Sequence, residues 1–174
     1  MIGNFPYCMP LLLDVEKGYW DDPAGGPTNL GVTLQAWEAW IGKPATADDI
    51  KLLTPEMVTP FYKEGYWDTV RGDALPAGLD WFTFDCAVNQ GPGRARRWLQ
   101  LSANILPDGV IGNKTLAAIS VQPTQNVIAR FYNRRWLAYR QDPHFEDDGD
   151  GWLNRLDKVR GQALAMIPGQ GAAA

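Results

Sequence analysis

The chain has 174 residues, which is enough for one compact core in one or two lobes but too few for several independent domains. Its formal net charge is -4, which argues against a protein that binds nucleic acid or anionic membranes through a strongly basic surface. No apolar run reaches the roughly 18 residues that a membrane-spanning helix needs, so no stable membrane insertion is expected.

The N-terminal segment predicts one helix followed by a glycine-rich hairpin. Asn4 or Pro6 is expected to open this helix and Lys17 to end it, and Pro10 predicts that its regular part begins only near residue 9. Glu16 then lies in the last helical turn, and Gly18 ends the helix. Residues 19–33 contain two aromatic residues, two aspartates and many turn formers, so β-structure is expected there.

Three short helices are predicted after the hairpin, because each carries a start or stop signal. Threonine at an N-cap accepts a hydrogen bond from the first helical turn, proline suits the first helical position, and glycine often ends a helix. These signals predict helices over residues 34–41 with Gly42 at the end, 47–52 with Thr46 as N-cap, and 55–64 with Thr54 as N-cap and Gly65 at the end.

The remaining chain predicts a helical lobe around one buried helix. Residues 71–78 contain two glycines and a proline and form the expected hinge. Leu79 to Gln90 leaves almost no polar face, and a helix that is apolar all round is a buried one. The helices predicted after it cover residues 94–103 with Gln100 outward, 113–120, 125–140 and 151–167.

Three stretches share a pattern with a known enzyme family. The first reads Glu16-Lys17-Gly18-Tyr19, then Asp22-Pro23, then Gly25-Gly26-Pro27-Thr28-Asn29-Leu30-Gly31-Val32-Thr33. The others are Phe84–Ala95 and Asp108–Thr115. Over residues 10–167 the chain resembles glycoside hydrolase family 108, N-acetylmuramidases found mostly as phage and prophage endolysins, with a C-terminal peptidoglycan-binding half.

The chain departs from the pattern of that family at two places. Lys17 replaces the first glycine of the family's Glu-Gly-Gly-Tyr motif, which a helical position tolerates. The family also has an Asp-Pro pair directly before its two glycines, whereas here Ala24 runs straight into Gly25. The hairpin is therefore two residues shorter, and a candidate second carboxylate is missing from its usual place.

The resemblance implies a mainly α, lysozyme-like single domain of two lobes with a small β-hairpin near the N-terminus. The catalytic lobe would span residues 1–70, the peptidoglycan-binding-like lobe 71–168, packed as one compact unit, and a loose tail 169–174. The implied reaction is hydrolysis of the β-1,4 bond between N-acetylmuramic acid and N-acetylglucosamine in peptidoglycan, with no cofactor or metal. The N-terminus lacks a signal-peptide pattern, so we expect the protein to be made in the host cytoplasm and to act in the periplasm after release. We also expect it to be a monomer.

Glu16 is the candidate general acid. A carboxyl group on a fixed helix end that faces a glycine-rich hairpin can protonate the glycosidic oxygen, and burial against aromatic rings would help it to keep its proton. Water would then attack the anomeric carbon, positioned by Asp22 or Thr28. Asp22 is preferred to Asp21, although both could serve only as turn formers, and Thr28 could only cap a strand.

Six residues are candidates for contacts with the substrate: Tyr19, Trp20, Tyr66, Trp67, Asn89 and Gln90. The Tyr66–Trp67 pair could instead anchor the packing of a lobe, and the Asn89–Gln90 pair could instead cap its helix. Three other functions stay open. They are a lytic transglycosylase, in which the 6-hydroxyl of the sugar attacks, a non-catalytic wall-binding protein, and a phage structural or regulatory protein.

The remaining candidate sites have simpler structural explanations. The acidic run Glu146–Asp150 resembles a calcium loop, but Asp150 as N-cap of the last helix explains it without a metal. His144 is the only histidine, which excludes histidine-based hydrolase chemistry. Cys8 and Cys86 are expected to be reduced, partly buried thiols. Solvated helix faces are expected for Arg94, Arg96, Arg97, Arg130, Arg134, Arg135 and Arg140.

Overall fold

The computed structural model describes residues 3–16, 18–22 and 25–169, without the side chain of Asp22. The chain divides into two compact units. One unit runs from Phe5 to Gly65, and the other is formed by the segment up to Asn4 and the chain from Tyr66 onward. In the described part of the chain, every helix is too short or too polar to span a bilayer.

The first unit begins with helix α1, Phe5–Val15. Its buried residues recur at the three- and four-residue spacing of a single helical face: Phe5, Cys8, Met9 and Leu12. This face extends past Pro10 on both sides. The free energy gained by burying it is larger than the free energy lost with the one hydrogen bond that the proline removes. The helix begins at Phe5, directly after Asn4, which agrees with the predicted opening. The prediction that its regular part begins only near residue 9 is wrong, and the expected end at Lys17 lies outside the described residues.

Three helices follow in this unit: α2 (Leu34–Ile41), α3 (Ala47–Lys51) and α4 (Pro55–Tyr62). Thr46 and Thr54 each accept a hydrogen bond from the backbone N–H three residues on, which confirms both predicted helix starts. Gly42 ends α2 in the left-handed conformation, also as predicted. Gly65, in contrast, ends no helix, because α4 passes into a π-helical turn, Lys63–Trp67, that contains the glycine.

The hairpin segment forms a three-stranded antiparallel sheet: β1 (Trp20–Asp22), β2 (Gly26–Asn29) and β3 (Val32–Thr33). Residues 19–33 were the predicted place of the β-structure, and this prediction is confirmed. In the register, Trp20 lies opposite Thr28, and Asp22 lies opposite Gly26. The central strand β2 therefore connects the two outer strands and carries Thr28 in its middle.

The second unit is built around helix α5, Leu79–Gln90. Nine consecutive residues, from Leu79 to Ala87, are buried, which confirms the predicted central helix. The other helices of the unit are α6 (Pro92–Ser102), α7 (Asn113–Ser120), α8 (Thr124–Arg140) and α9 (Phe145–Ala165), and short 3-10 turns cover Asp68–Val70 and Gly72–Ala74. The helices α6, α8 and α9 all pack against α5.

Three polar residues of this unit lie elsewhere than the sequence predicts. Gln100 is buried rather than outward, because its side chain bonds to Asp108, to Thr115 and to the loop between them. Arg135 is fully buried rather than solvated. Asp150 lies inside α9, which begins at Phe145, so it caps no helix.

The same helix α9 carries the acidic run that resembled a calcium loop. Its acids therefore project from helical turns instead of converging on a point. Among the described residues, no group of three or more potential ligands could hold a metal ion. Cys8 and Cys86 are free thiols, and both are buried. Most of the predicted tail lies outside the described residues, which end at Gly169.

Candidate active site

Glu16 follows the last turn of α1 and is held there by the backbone. Its N–H donates to the carbonyl of Leu12 over 3.0 Å, so Glu16 continues the hydrogen-bond pattern of the helix. The residue is half-buried. Its carboxylate lies over the turn between β2 and β3, where a methyl group built on Gly31 would come within 2.7 Å of Oε2. The backbone of Glu16 is therefore held by the helix, and its carboxylate lies next to the sheet.

The turn below Glu16 has an unusual backbone. Leu30 and Gly31, which join the paired residues Asn29 and Val32, both have positive φ angles, of 51° and 77°. This is the pattern of a type I′ turn, which matches the twist of paired strands. The left-handed conformation of Leu30 is unfavourable in free energy for any residue that has a side chain. Contacts with the surrounding structure therefore have to stabilise it.

Tyr62 provides that support from α4. Its hydroxyl donates to the carbonyl of Leu30 over 2.8 Å, and the residue is only 1% exposed. A methyl group on Gly31 would lie 2.6 Å from the same hydroxyl. The carboxylate of Glu16 and the hydroxyl of Tyr62 thus occupy the space that a side chain at position 31 would need, and only glycine fits there.

Asn29 fixes the sheet to the neighbouring helix. Its side-chain amide donates to the carbonyls of Ile50 and Lys51, at 3.0 and 3.2 Å, with a longer contact of 3.4 Å to Leu53. These carbonyls come from the end of α3, where helical carbonyls lack partners within the helix. The amide therefore stabilises the helix end and the position of β2 at the same time.

The outer strand β1 separates its side chains onto two faces. Trp20 lies directly opposite Thr28, and such a pair shares one face of a sheet. Asp21 belongs to the other face, where the hydroxyl of Tyr19 lies 3.5 Å from its carboxylate and Lys51 Nζ lies 5.2 Å from the ring of Tyr19. Trp20 is 63% exposed and Tyr19 is 37% exposed, so both rings are accessible to a ligand.

The predicted water-positioning residues are only partly described. Thr28 is half-buried in the central strand. Asp22 pairs with Gly26 through the backbone, and its side chain lies outside the described part of the chain. The role of both residues stays a prediction.

Tyr66 and Trp67 belong to the second unit. Trp67 is completely buried, its indole N–H donates to Asp73 over 2.9 Å, and its ring packs edge-on against Phe84. This burial favours the packing role that the sequence left open for Trp67. Tyr66 is half-buried.

Asn89 and Gln90 end α5 in the second unit. Gln90 Oε1 accepts a hydrogen bond of 2.8 Å from Arg135, and Asn89 Oδ1 accepts one from the hydroxyl of Tyr139. Both amide oxygens therefore accept hydrogen bonds from side chains of α8, and Gln90 Oε1 also accepts a longer contact of 3.6 Å from Cys86 Sγ.

Sequence analysis missed two residues next to Glu16. No sequence pattern indicated the role of Tyr62, because its partner Leu30 is 32 positions away and only the fold brings the two residues together. Gly31 was part of a motif, but its contact with Glu16 depends on where α1 ends. Its place within the predicted glycine-rich hairpin was the only available hint.

Two comparisons with known proteins found similar sequences and folds. The family model for glycosyl hydrolase 108 matches residues 9–91, which include Glu16, the sheet and α5. The solved structure of Brucella abortus SagA is 39% identical in sequence with a TM-score of 0.89, and the match covers 97% of this chain and 98% of that one. The chain belongs to glycosyl hydrolase family 108. None of the curated proteins searched matches it.

Membership of glycosyl hydrolase family 108 confirms the family resemblance and makes this protein a lysozyme-like glycoside hydrolase. The family hydrolyses peptidoglycan. The predicted mainly α fold with a small β-structure near the N-terminus is confirmed as well.

Proposed function

We propose that this family 108 protein hydrolyses the β-1,4 bond between N-acetylmuramic acid and N-acetylglucosamine, with Glu16 as the general acid. The observation that carries the proposal is the position of the Glu16 carboxylate, after the end of α1, over Gly31 and beside the hydroxyl of Tyr62. A general acid has to be positioned within hydrogen-bond reach of the leaving oxygen. Packing of the carboxylate between a helix end and a rigid turn supplies that positioning.

Water is the proposed nucleophile in this reaction. Thr28 supports this assignment because it lies in the central strand, opposite the exposed Trp20, on the sheet whose β2–β3 turn lies under Glu16. Asp22, one residue beyond Asp21 on β1, is the proposed second carboxylate. The exposed rings of Tyr19 and Trp20 are proposed to contact the sugar chain.

The biological setting is part of the same proposal. The resemblance to phage and prophage enzymes favours an endolysin that degrades the cell wall from the periplasm and works as a monomer. The reaction itself does not depend on this setting, so it is tested separately on purified peptidoglycan.

The first experiment replaces the acid. Glu16→Gln keeps the shape of the side chain but removes the proton, and loss of general-acid catalysis costs about 10²–10⁴-fold in rate. The rate is measured as the fall in turbidity of permeabilised Gram-negative cells, with melting temperatures recorded in parallel. Glu146→Gln, at an exposed position of α9 in the second unit, is the matched control and is expected to keep full activity. A Glu16→Gln variant with more than a third of the wild-type rate would remove Glu16 from the mechanism.

The second experiment identifies the nucleophile from the products. Attack by water leaves reducing muramic acid ends, whereas attack by the 6-hydroxyl of the sugar leaves anhydro ends that are lighter by one water. Mass spectrometry of digested peptidoglycan distinguishes the two products. We expect reducing ends, and a digest made up mainly of anhydro-muropeptides would assign the protein to the transglycosylases instead.

A further inference from the structure

The second unit contains a polar cavity that the proposed reaction does not use. Its volume is about 290 Å³, and it lies where the end of α5 meets α8 and α9. Its walls are formed mainly by polar or aromatic side chains: Asn89, Gln90, Arg94, Tyr139, Asp142 and Trp152. A cavity of this size accommodates one small polar group rather than a long sugar chain.

Arg135 determines which way the amide of Gln90 points. A guanidinium group has only N–H donors. Because Arg135 Nε donates to Gln90 over 2.8 Å, the Gln90 atom at this contact must be the oxygen. The two N–H groups of Gln90 therefore remain on the other side of its amide, available to an acceptor.

Arg135 also determines the orientation of the Asn89 amide, through the hydroxyl of Tyr139. Arg135 Nη2 lies 3.5 Å from the hydroxyl of Tyr139 and can only donate to it. The hydroxyl therefore donates its own hydrogen to Asn89, whose acceptor is Oδ1. Asn89 is exposed, and its N–H₂ group is left for a ligand. Two neighbouring amides thus both present donors at the cavity.

Buried ion pairs make this arrangement rigid. Arg135 is completely buried and donates to Asp85 over 2.6 Å, and Arg155 donates to the other oxygen of the same carboxylate over 2.8 Å. Burial on its own raises the pKa of the Asp85 carboxyl, but the two guanidinium groups outweigh burial and hold that pKa below its ordinary value. Arg135 therefore stays in one position, and so do the amides that it orients.

Of the remaining wall residues, Arg94 favours an acceptor ligand and Asp142 opposes one. Arg94 is exposed and adds a positive charge and further donors, and its guanidinium lies 5.4 Å from the centre of the Trp98 ring. The carboxylate of Asp142 accepts the N–H of His144 over 3.0 Å, so one of its oxygens already has a donor. The stacked rings of Tyr139 and Trp152, whose centroids are 5.4 Å apart, form a flat apolar wall.

We propose that this cavity binds a carboxylate of the peptide stem of peptidoglycan, through the N–H groups of Asn89 and Gln90 and the guanidinium of Arg94. A carboxylate only accepts hydrogen bonds, which matches a site that mostly donates them. The acetamido carbonyl of a sugar is the alternative acceptor, but it carries no charge for Arg94 to neutralise. The inference rests on peptidoglycan being the substrate and is independent of the role of Glu16.

The test uses ligands without a cleavable β-1,4 bond, so that binding is measured apart from hydrolysis. N-acetylmuramyl-L-alanyl-D-isoglutamine, which has one free carboxylate, is titrated calorimetrically into the intact protein. The same compound with that carboxylate amidated, and the trimer of N-acetylglucosamine, are the comparison ligands. We expect the free carboxylate to bind at least roughly 10-fold more tightly than either, since hydrogen bonds to a charged group are the stronger ones. Equal binding of the amidated compound, or tighter binding of the trimer, would overturn the proposal.

A pair of variants locates the binding site. Asn89→Asp keeps the acceptor for Tyr139 but replaces the N–H₂ group by a charged oxygen, so the affinity for the free carboxylate should fall at least roughly 10-fold. Asn133→Asp adds the same charge at an exposed position of α8 that does not line the cavity, and should leave the affinity unchanged. Unchanged affinity in Asn89→Asp, or an equal loss in Asn133→Asp, would place the binding elsewhere. Failure of the turbidity assay with Glu16→Gln would not affect either result.

Discussion

Adding a single methyl group at Gly31 tests the geometry around Glu16 most directly. In Gly31→Ala, the new carbon would lie 2.6 Å from the hydroxyl of Tyr62 and 2.7 Å from the carboxylate of Glu16. The φ angle of this position, 77°, is also unfavourable for alanine. The substitution therefore crowds the acid from below without changing any catalytic group.

The expected magnitudes follow from these distances. Ordinary van der Waals contact begins at 3.4 Å, so the Glu16 oxygen and the methyl group have to separate by about 0.7 Å, the difference between 3.4 and 2.7 Å. A displacement of about 1 Å can cost roughly 10²-fold in rate. The left-handed backbone adds about 1–2 kcal/mol of destabilisation, and the crowding adds about 1–3 kcal/mol.

The chain offers a matched control at Gly42. Its φ angle is 68°, and no atom of the described residues lies within 4 Å of a methyl group built there. Gly42→Ala therefore carries the backbone cost alone. Both variants are assayed on purified peptidoglycan at a temperature well below their melting transitions, with chemical unfolding used to measure stability.

We expect Gly31→Ala to lose roughly 10²-fold in kcat and Gly42→Ala to keep the wild-type rate, although both lose stability. Two results would refute this reasoning. If folded Gly31→Ala kept more than half of the wild-type activity, the position of Glu16 would not matter for the reaction. If Gly42→Ala lost as much activity as Gly31→Ala, the effect would come from the backbone and not from contact with the acid.

Two further predictions concern the core of the second unit. Asp85→Asn leaves the guanidinium of Arg135 buried without its charge partner and should lower the free energy of unfolding by about 3–5 kcal/mol in urea titrations. Because the pKa of Asp85 is depressed in the folded state, its stabilisation is complete above the pKa of the unfolded chain, about 3.9, and is lost as the pH falls through the folded value. Wild-type stability should therefore fall below about pH 4 by an increment that Asp85→Asn lacks, and equal slopes in both proteins would contradict this. Burial raises the pKa of the Cys86 thiol to about 12, so Ellman's reagent should label it only after unfolding, and rapid labelling of the native protein would show that the thiol is accessible.

Local signals predicted much of the secondary structure correctly. Thr46 and Thr54 cap their helices as expected, because an N-cap depends only on residues within one helical turn. Pro10 misled the prediction for a physical reason. The proline removes one backbone hydrogen bond from α1. Burial of the apolar face on both sides of the proline contributes more free energy than that bond.

The polar residues of the second unit could not be predicted from the sequence in the same way. The sequence predicts surface or cap positions for Gln100, Arg135 and Asp150, because polar side chains are mostly exposed. Gln100 and Arg135 are instead buried with specific partners beyond their own helical turns, Asp108 at 8 and Asp85 at 50 positions away. Asp150 lies within a helix that begins five residues earlier than itself, at Phe145.

The sequence alone predicted the place of the β-structure and the central helix, and it indicated Glu16 as the candidate acid. Each of these depends on short-range patterns: a motif around Glu16, turn formers in residues 19–33, and an apolar run from Leu79. Only the tertiary structure decided what surrounds the acid and the amides. The contacts of Tyr62 with the turn at Leu30, and of Arg135 with Gln90, join residues 32 and 45 positions apart. Such contacts arise from the packing of whole helices, and no local pattern encodes them.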